Sequence, residues 1–228
     1  GLSLFAATTV KVFGVDPSLE EASYIPLVHA HAAPLLAITG LLYAAGAWYA
    51  RAKQADESER SVGTALVVAA TGMLLWIASS ETWLFVGWPL GRGEVAQHFA
   101  LSGVWVIFGA VLMALGTARD MAHLRWAALG LFAVTALKVL TGEPSLTSET
   151  YLPLVNPHAA PLLAITALLY AVGAWYAATK DADDPERDVG TALVVAATGL
   201  LLWVASSEAW RFTDWKLGYT AAAQYFAL

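Results

Sequence analysis

The sequence predicts an all-α protein, a polytopic transmembrane helical bundle built from tandem parallel four-helix repeats. Three observations carry that expectation. Composition comes first: of 228 residues, 58% are hydrophobic and 13% charged, with a mean hydropathy of +0.61. Soluble domains run nearer 45–50% apolar and about 25% charged, so this balance belongs to a chain solvated by lipid. The second observation is an internal repeat. His31-Ala-Ala-Pro-Leu-Leu-Ala-Ile-Thr39 returns at His158, and Val62-Gly-Thr-Ala-Leu-Val-Val-Ala-Ala-Thr-Gly72 returns at Val189. Both pairs are offset by 127 residues (158 − 31 and 189 − 62), and Lys11 and Lys138, Trp76 and Trp203, Glu81 and Glu208, and Gln97 and Gln224 keep that offset without a gap. The third observation is that each copy holds four apolar segments close to the ~20 residues that cross a bilayer core.

Segment one is complete only in the second copy, at 124–140, because Gly1 opens inside its first-copy equivalent. Segment two covers 34–49 and 161–176, each opening on a proline, whose missing amide hydrogen costs nothing at a helix start. Segment three covers 62–80 and 189–207. Segment four covers 95–117, and its second copy is cut short after a few residues, at Leu228. The expected organisation is therefore a first four-span repeat at 1–127 with its first helix incomplete, and a second at 128–228 with its last helix truncated. Both ends fall inside expected spans, as in a piece of a longer chain, so the lack of a signal peptide at Gly1 carries no weight. Four spans is an even number, so the copies run parallel, unlike the inverted repeats of many transporters.

Lys and Arg in short loops set the expected orientation. Arg51, Lys53 and Arg60 lie between segments two and three, Lys180 and Arg187 repeat them, and Arg119 and Arg125 join segment four to segment one. Loops 51–60 and 180–187 are thus expected on the cytoplasmic side. Loops 14–33 and 82–93 then face outward, with Trp83, Trp88, Trp210 and Trp215 as an aromatic belt, although Arg92, Arg211 and Lys216 soften the contrast.

Several function classes lose support at once. A net charge of −6 with 12 Lys plus Arg offers no basic surface for nucleic acid. The absence of cysteine removes disulfide scaffolds, thiolate metal sites and cysteine nucleophiles. There is no glycine-rich phosphate loop, His-Glu-x-x-His or Gly-x-Ser-x-Gly, so no cofactor is expected. His29 becomes Asn156 in the second copy, which argues against a two-histidine metal site.

One polar layer stands out. Lys11 and Lys138 end segment one, His31 and His158 precede segment two, Glu81 and Glu208 end segment three, and Gln97 and Gln224 open segment four. All eight fall at the expected outer end, and ionisable groups at membrane depth suggest function by default. Each also has a structural reading. The lysines suit snorkelling anchors that complement a helix C-terminus, and the histidines suit caps. The glutamines suit interhelical hydrogen bonds, and Ser79 and Ser80 can bond back to the preceding turn. A carboxylate at a helix C-terminus opposes the dipole, so the simplest expectation pairs Lys11 with Glu81 and Lys138 with Glu208. The Gly46-x-x-x-Ala50 stripe, repeated at Gly173-x-x-x-Ala177, suits close helix packing.

Gln97-His-Phe-Ala-Leu-Ser-Gly-Val-Trp105, followed by Gly109, Leu115-Gly116, Arg125 and Leu137-Lys138-Val139, resembles the signature of an uncharacterised family of predicted multi-spanning membrane proteins, domain of unknown function 2339. Val10-Lys-Val-Phe13 with Asp16, and Ser80-Glu81, are similar to the same family's motifs. The second copy has Leu140 and Glu143 in place of that phenylalanine and aspartate. The resemblance spans nearly the whole chain and implies many membrane helices in a bacterial or archaeal protein, with no reaction attached.

These readings leave three functional expectations. The first is a non-catalytic scaffold or envelope-assembly component in a prokaryotic plasma membrane, its outer face meeting a partner or a lipid-linked glycan. The second is a transporter or channel using the outer Glu, Lys and His layer, and the third is an outer-face membrane enzyme. Expected partners are the lipid bilayer and other membrane subunits or further copies of the repeat.

Overall fold

A computed structural model of the chain describes residues 24–28, 32–51, 57–141, 151–179 and 185–215. All regular structure among them is α-helical: α1 (Ala32–Arg51), α2 (Glu57–Gly87), α3 (Glu94–Ala118), α4 (Ala122–Thr141), α5 (Ala159–Thr179) and α6 (Pro185–Trp215). All six are long and apolar enough to cross a membrane. Large apolar side chains such as Leu41, Trp48, Val68, Trp76, Ile107, Trp126 and Val195 are exposed on their surfaces. Exposed apolar area of this extent fits lipid as the surrounding solvent. The all-α, multi-pass character read from the sequence is therefore present.

The chain divides into two compact units, Gly1–Gly91 and Arg92–Leu228. In the first, α1 packs on α2 with almost no space between the backbones. A Cβ at Gly46 would sit 2.7 Å from Val67 Cγ2 and 2.9 Å from the Gly63 carbonyl oxygen. The glycine stripe is thus a close helix contact, as small-residue spacing led us to expect. Tyr43 and Thr71 share a hydroxyl hydrogen bond of 2.9 Å across the same seam.

The second unit holds α3 to α6. Its α5–α6 seam repeats these contacts 127 residues on. Gly173 meets Val194 and the Gly190 carbonyl. Tyr170 and Thr198 form the matching 2.8 Å bond. Phe132, Leu162, Ile165 and Val204 are nearly fully buried at the centre, and the Phe132 ring fills the space left by Gly109.

A tight turn joins α3 to α4. Asp120 adopts φ +49°, the Met121 amide reaches the Gly116 carbonyl at 2.8 Å, and the buried Arg125 donates to that carbonyl at 3.2 Å and to Asp120 at 3.0 Å. The Arg125 guanidinium also lies 5.8 Å from the Trp175 ring near the end of α5. Arg125, read from sequence as a loop charge, is instead built into the helix packing. The Arg125–Trp175 contact sets the start of α4 beside the end of α5, so these helices run antiparallel.

The segment-three helices extend past the expected stops at Ser80 and Ser207, to Gly87 and Trp215. Nothing in Glu81-Thr-Trp-Leu-Phe-Val86 breaks a helix, and the chain turns where Gly87 and Pro89 arrive. Trp83 and Trp210, expected in loops, consequently lie on helices. Glu81 and Glu208 also sit more than a turn from the C-terminus, beyond the reach of the helix dipole.

Candidate functional site

Glu81 and Glu208 are both buried within their helices, where a carboxylate must be met by donors. The donors come from the segment that leads into the preceding helix. In the first unit, Tyr24 donates its hydroxyl to Glu81 Oε2 at 3.1 Å, and the Leu27 amide donates to the same oxygen at 2.9 Å. Leu27 can aim its amide there because it adopts φ +63°. The Tyr24 ring then packs edge-on against Trp88, with centroids 5.6 Å apart. Residues 24–28 thus form a hook over the carboxylate.

The second unit builds the same hook. Tyr151 donates to Glu208 Oε2 at 3.0 Å, the Leu154 amide follows at 2.8 Å with φ +62°, and the Tyr151 ring meets Trp215 at 5.2 Å. Asn156 adds a third donor. Its Nδ2 gives a 2.9 Å bond to Glu208 Oε1, while its Oδ1 accepts the His158 and Ala159 amides at 3.0 and 2.9 Å. One side chain therefore caps α5 and tethers it to α6. Arg211 Nη1 lies 3.6 Å from Oε1, one turn along α6. Burial, and secondarily the adjoining carboxylate, pushes both tyrosines up to about 12.

Lys138 makes a separate cluster. Its Nζ donates to the His98 carbonyl at 3.1 Å and to Ser102 Oγ at 2.8 Å, and lies 5.9 Å from the Trp105 ring centroid. The expected Lys138–Glu208 pair is therefore absent. The reason is local supply: α3 presents a buried hydroxyl and a carbonyl directly across from Lys138, while both oxygens of Glu208 are already filled by hook donors. The ammonium joins α4 to α3 rather than to α6.

His158 is buried at the start of α5, and Gln97 is half-buried in the first turn of α3. Alternating helix directions put Lys138, His158, Gln97 and Glu208 at one end of the second unit, with Arg125 at the other. Lys11, His31 and Gln224 lie outside the described residues, and with them any Lys11–Glu81 contact. Among the described residues no group of three or more His, Asp or Glu converges as metal ligands would.

Sequence reasoning assigned no role to the hook residues Tyr24, Tyr151, Leu27 and Leu154 or to Ser102, and used Asn156 only as an argument against a metal site. A signal existed for most of them. Tyr24-Ile-Pro-Leu-Val28 and Tyr151-Leu-Pro-Leu-Val155 sit at the 127-residue offset, identical at four of their five positions. Compared with protein-family models, curated proteins and solved structures, the chain matches none.

Proposed function

We propose that the chain is part of a non-catalytic scaffold or envelope-assembly component of a prokaryotic plasma membrane. In this reading it is an array of parallel four-helix repeats of the domain of unknown function 2339 type, associating side by side with other membrane subunits or further copies. Loops 51–60 and 180–187 are cytoplasmic, and the hooks are on the outer side with the surface that meets a partner or a lipid-linked glycan.

The observation that carries this reading is how the buried and half-buried charges are used. Glu81 and Glu208 accept from their hooks, Lys138 donates to α3, and Arg125 braces the α3–α4 turn. Buried charges bonded to their own framework support a structural role. A solute site would instead turn such groups toward a water-filled cavity.

Photoreactive residues at Leu90 and Arg92, both exposed between α2 and α3, test the proposal in native membranes. A scaffold gives discrete, reproducible adducts with a polypeptide or a lipid-linked glycan. Adducts with bulk phospholipid alone would contradict it, as would solute flux in vesicles that is lost in a Glu81→Gln, Glu208→Gln variant of unchanged folded yield. For orientation, cysteines at Ser58 and Asp184 should resist an impermeant thiol reagent on intact cells while one at Gly91 reacts. The reverse pattern would invert the topology.

A further inference from the structure

The hooks have two unlike sides. Toward the helices they present polar groups: the Tyr24 hydroxyl and Leu27 amide are spent on Glu81, the Val28 amide bonds to the Ile25 carbonyl at 3.2 Å, and Pro26 has no amide hydrogen. Away from the helices they present apolar side chains. Ile25, Leu27 and Val28 are 60%, 48% and 70% exposed, and their counterparts Leu152, Leu154 and Val155 are 61%, 52% and 67% exposed. Water would not reward this arrangement, since it hides amide donors and displays aliphatic surface.

Depth decides what covers that surface. On α2, residues 61–80 carry no Asp, Glu, Lys or Arg, and on α6 the same holds for 189–207. A run of ~20 helical residues spans about 30 Å, the thickness of the hydrocarbon core. Glu81 and Glu208 close these charge-free runs and so lie toward one end of the core, with the helices continuing to Gly87 and Trp215. Each hook is bonded directly to that carboxylate and therefore lies at the same level, and its tyrosine ring packs on Trp88 or Trp215. Irregular backbone is excluded from the hydrocarbon unless its polar groups are met, and several of the hook's donors are met internally.

We propose that the two hooks, 24–28 and 151–155, are immersed in the lipid interface and hold Ile25, Leu27, Val28, Leu152, Leu154 and Val155 against acyl chains. The occupant of this surface is membrane lipid, and each carboxylate is the post that fixes its hook at that depth. The inference rests on the membrane reading of the helices and says nothing of a scaffold partner.

Nitroxide labels test it in the intact chain, which has no cysteine of its own. Val28→Cys and Val155→Cys carry the hook labels, Val68→Cys and Val195→Cys carry controls on the exposed mid-helix faces of α2 and α6, and Ser58→Cys reports water. In vesicles of phosphatidylethanolamine and phosphatidylglycerol, collision with oxygen should exceed collision with a soluble nickel chelate severalfold at residues 28 and 155. The ratio should invert at residue 58. A nickel excess at the hooks, with residues 68 and 195 still oxygen-rich, would overturn the proposal and leave the membrane reading standing. Protection of the hooks from both reagents would overturn it in favour of a protein contact. A nickel excess at residues 68 and 195 would defeat the membrane reading itself. Labels at Ile25→Cys and Leu152→Cys repeat the measurement should either valine variant fail to fold.

Discussion

Replacing Glu208 with glutamine keeps the volume of the side chain and removes its charge, so the hook can be weighed without opening a cavity. One oxygen can still accept from Tyr151 and Leu154, which share Oε2 at 3.0 and 2.8 Å. The new amide group then faces Asn156 Nδ2, donor against donor. Asn156 cannot turn over to relieve this, because its Oδ1 holds the His158 and Ala159 amides at the start of α5. A hydrogen bond to a charged group contributes about 1.5–3 kcal/mol and a neutral one about 0.5–1.5. Losing one charged bond and weakening two makes Glu208→Gln cost about 4 kcal/mol. Tyr151→Phe should cost about 2 kcal/mol beside the carboxylate but about 1 beside glutamine, a coupling of about 1 kcal/mol. A double-mutant cycle, read by unfolding in detergent or nanodiscs, measures it. A coupling below about 0.5 kcal/mol, the scatter expected of independent sites, would refute the reasoning.

Three further expectations follow from other contacts. Lys138→Met and Glu208→Gln should be additive in the same assay, since Lys138 bonds to His98 and Ser102 and not to Glu208; strong coupling would restore the pairing that the sequence suggested. Gly173→Ala should destabilise by about 1–3 kcal/mol, because its Cβ would fall 2.6 Å from Val194 and 2.9 Å from a backbone oxygen. Gly199→Ala, with nothing within 4 Å, should be neutral or stabilise by up to about 1 kcal/mol, and equal effects at the two glycines would contradict the packing. The tyrosines are raised from 10.0 to about 12 in the folded chain, so their contribution is complete below pH 10 and disappears as pH climbs toward 12. The stability gap between the native chain and a Tyr24→Phe, Tyr151→Phe variant should therefore close over that window, and a constant gap would argue against the hook hydrogen bonds.

The spans were legible because lipid imposes its own grammar. Apolar runs of the right length, opened by Pro34 and Pro161 and separated by charged loops, leave little choice of structure. Glu81 and Glu208 were legible as buried acids in need of partners, but the partners were not. Coulomb attraction in the sequence favoured lysine, whereas the folded chain meets Glu208 with a hydroxyl, a backbone amide aimed at it through positive φ, and a cap residue. Backbone donors carry no sequence signature except through the residues around them, and Tyr-x-Pro-Leu-Val reads as a loop until its recurrence is weighed. The ends of α2 and α6 were missed for a related reason. A polar residue at the edge of an apolar run looks like a boundary, although a buried, satisfied carboxylate can sit well inside a helix.

The central claim is that each buried carboxylate is held by its own hook rather than kept for a solute. Amide hydrogen exchange at Leu27 and Leu154, followed in lipid nanodiscs, tests it most directly, because each amide donates to a glutamate oxygen. Both should exchange slowly in the native chain, and Glu81→Ala and Glu208→Ala should each release the amide of its own unit while sparing the other. Fast exchange of both amides in the native chain, or slow exchange that survives removal of the carboxylates, would contradict the account.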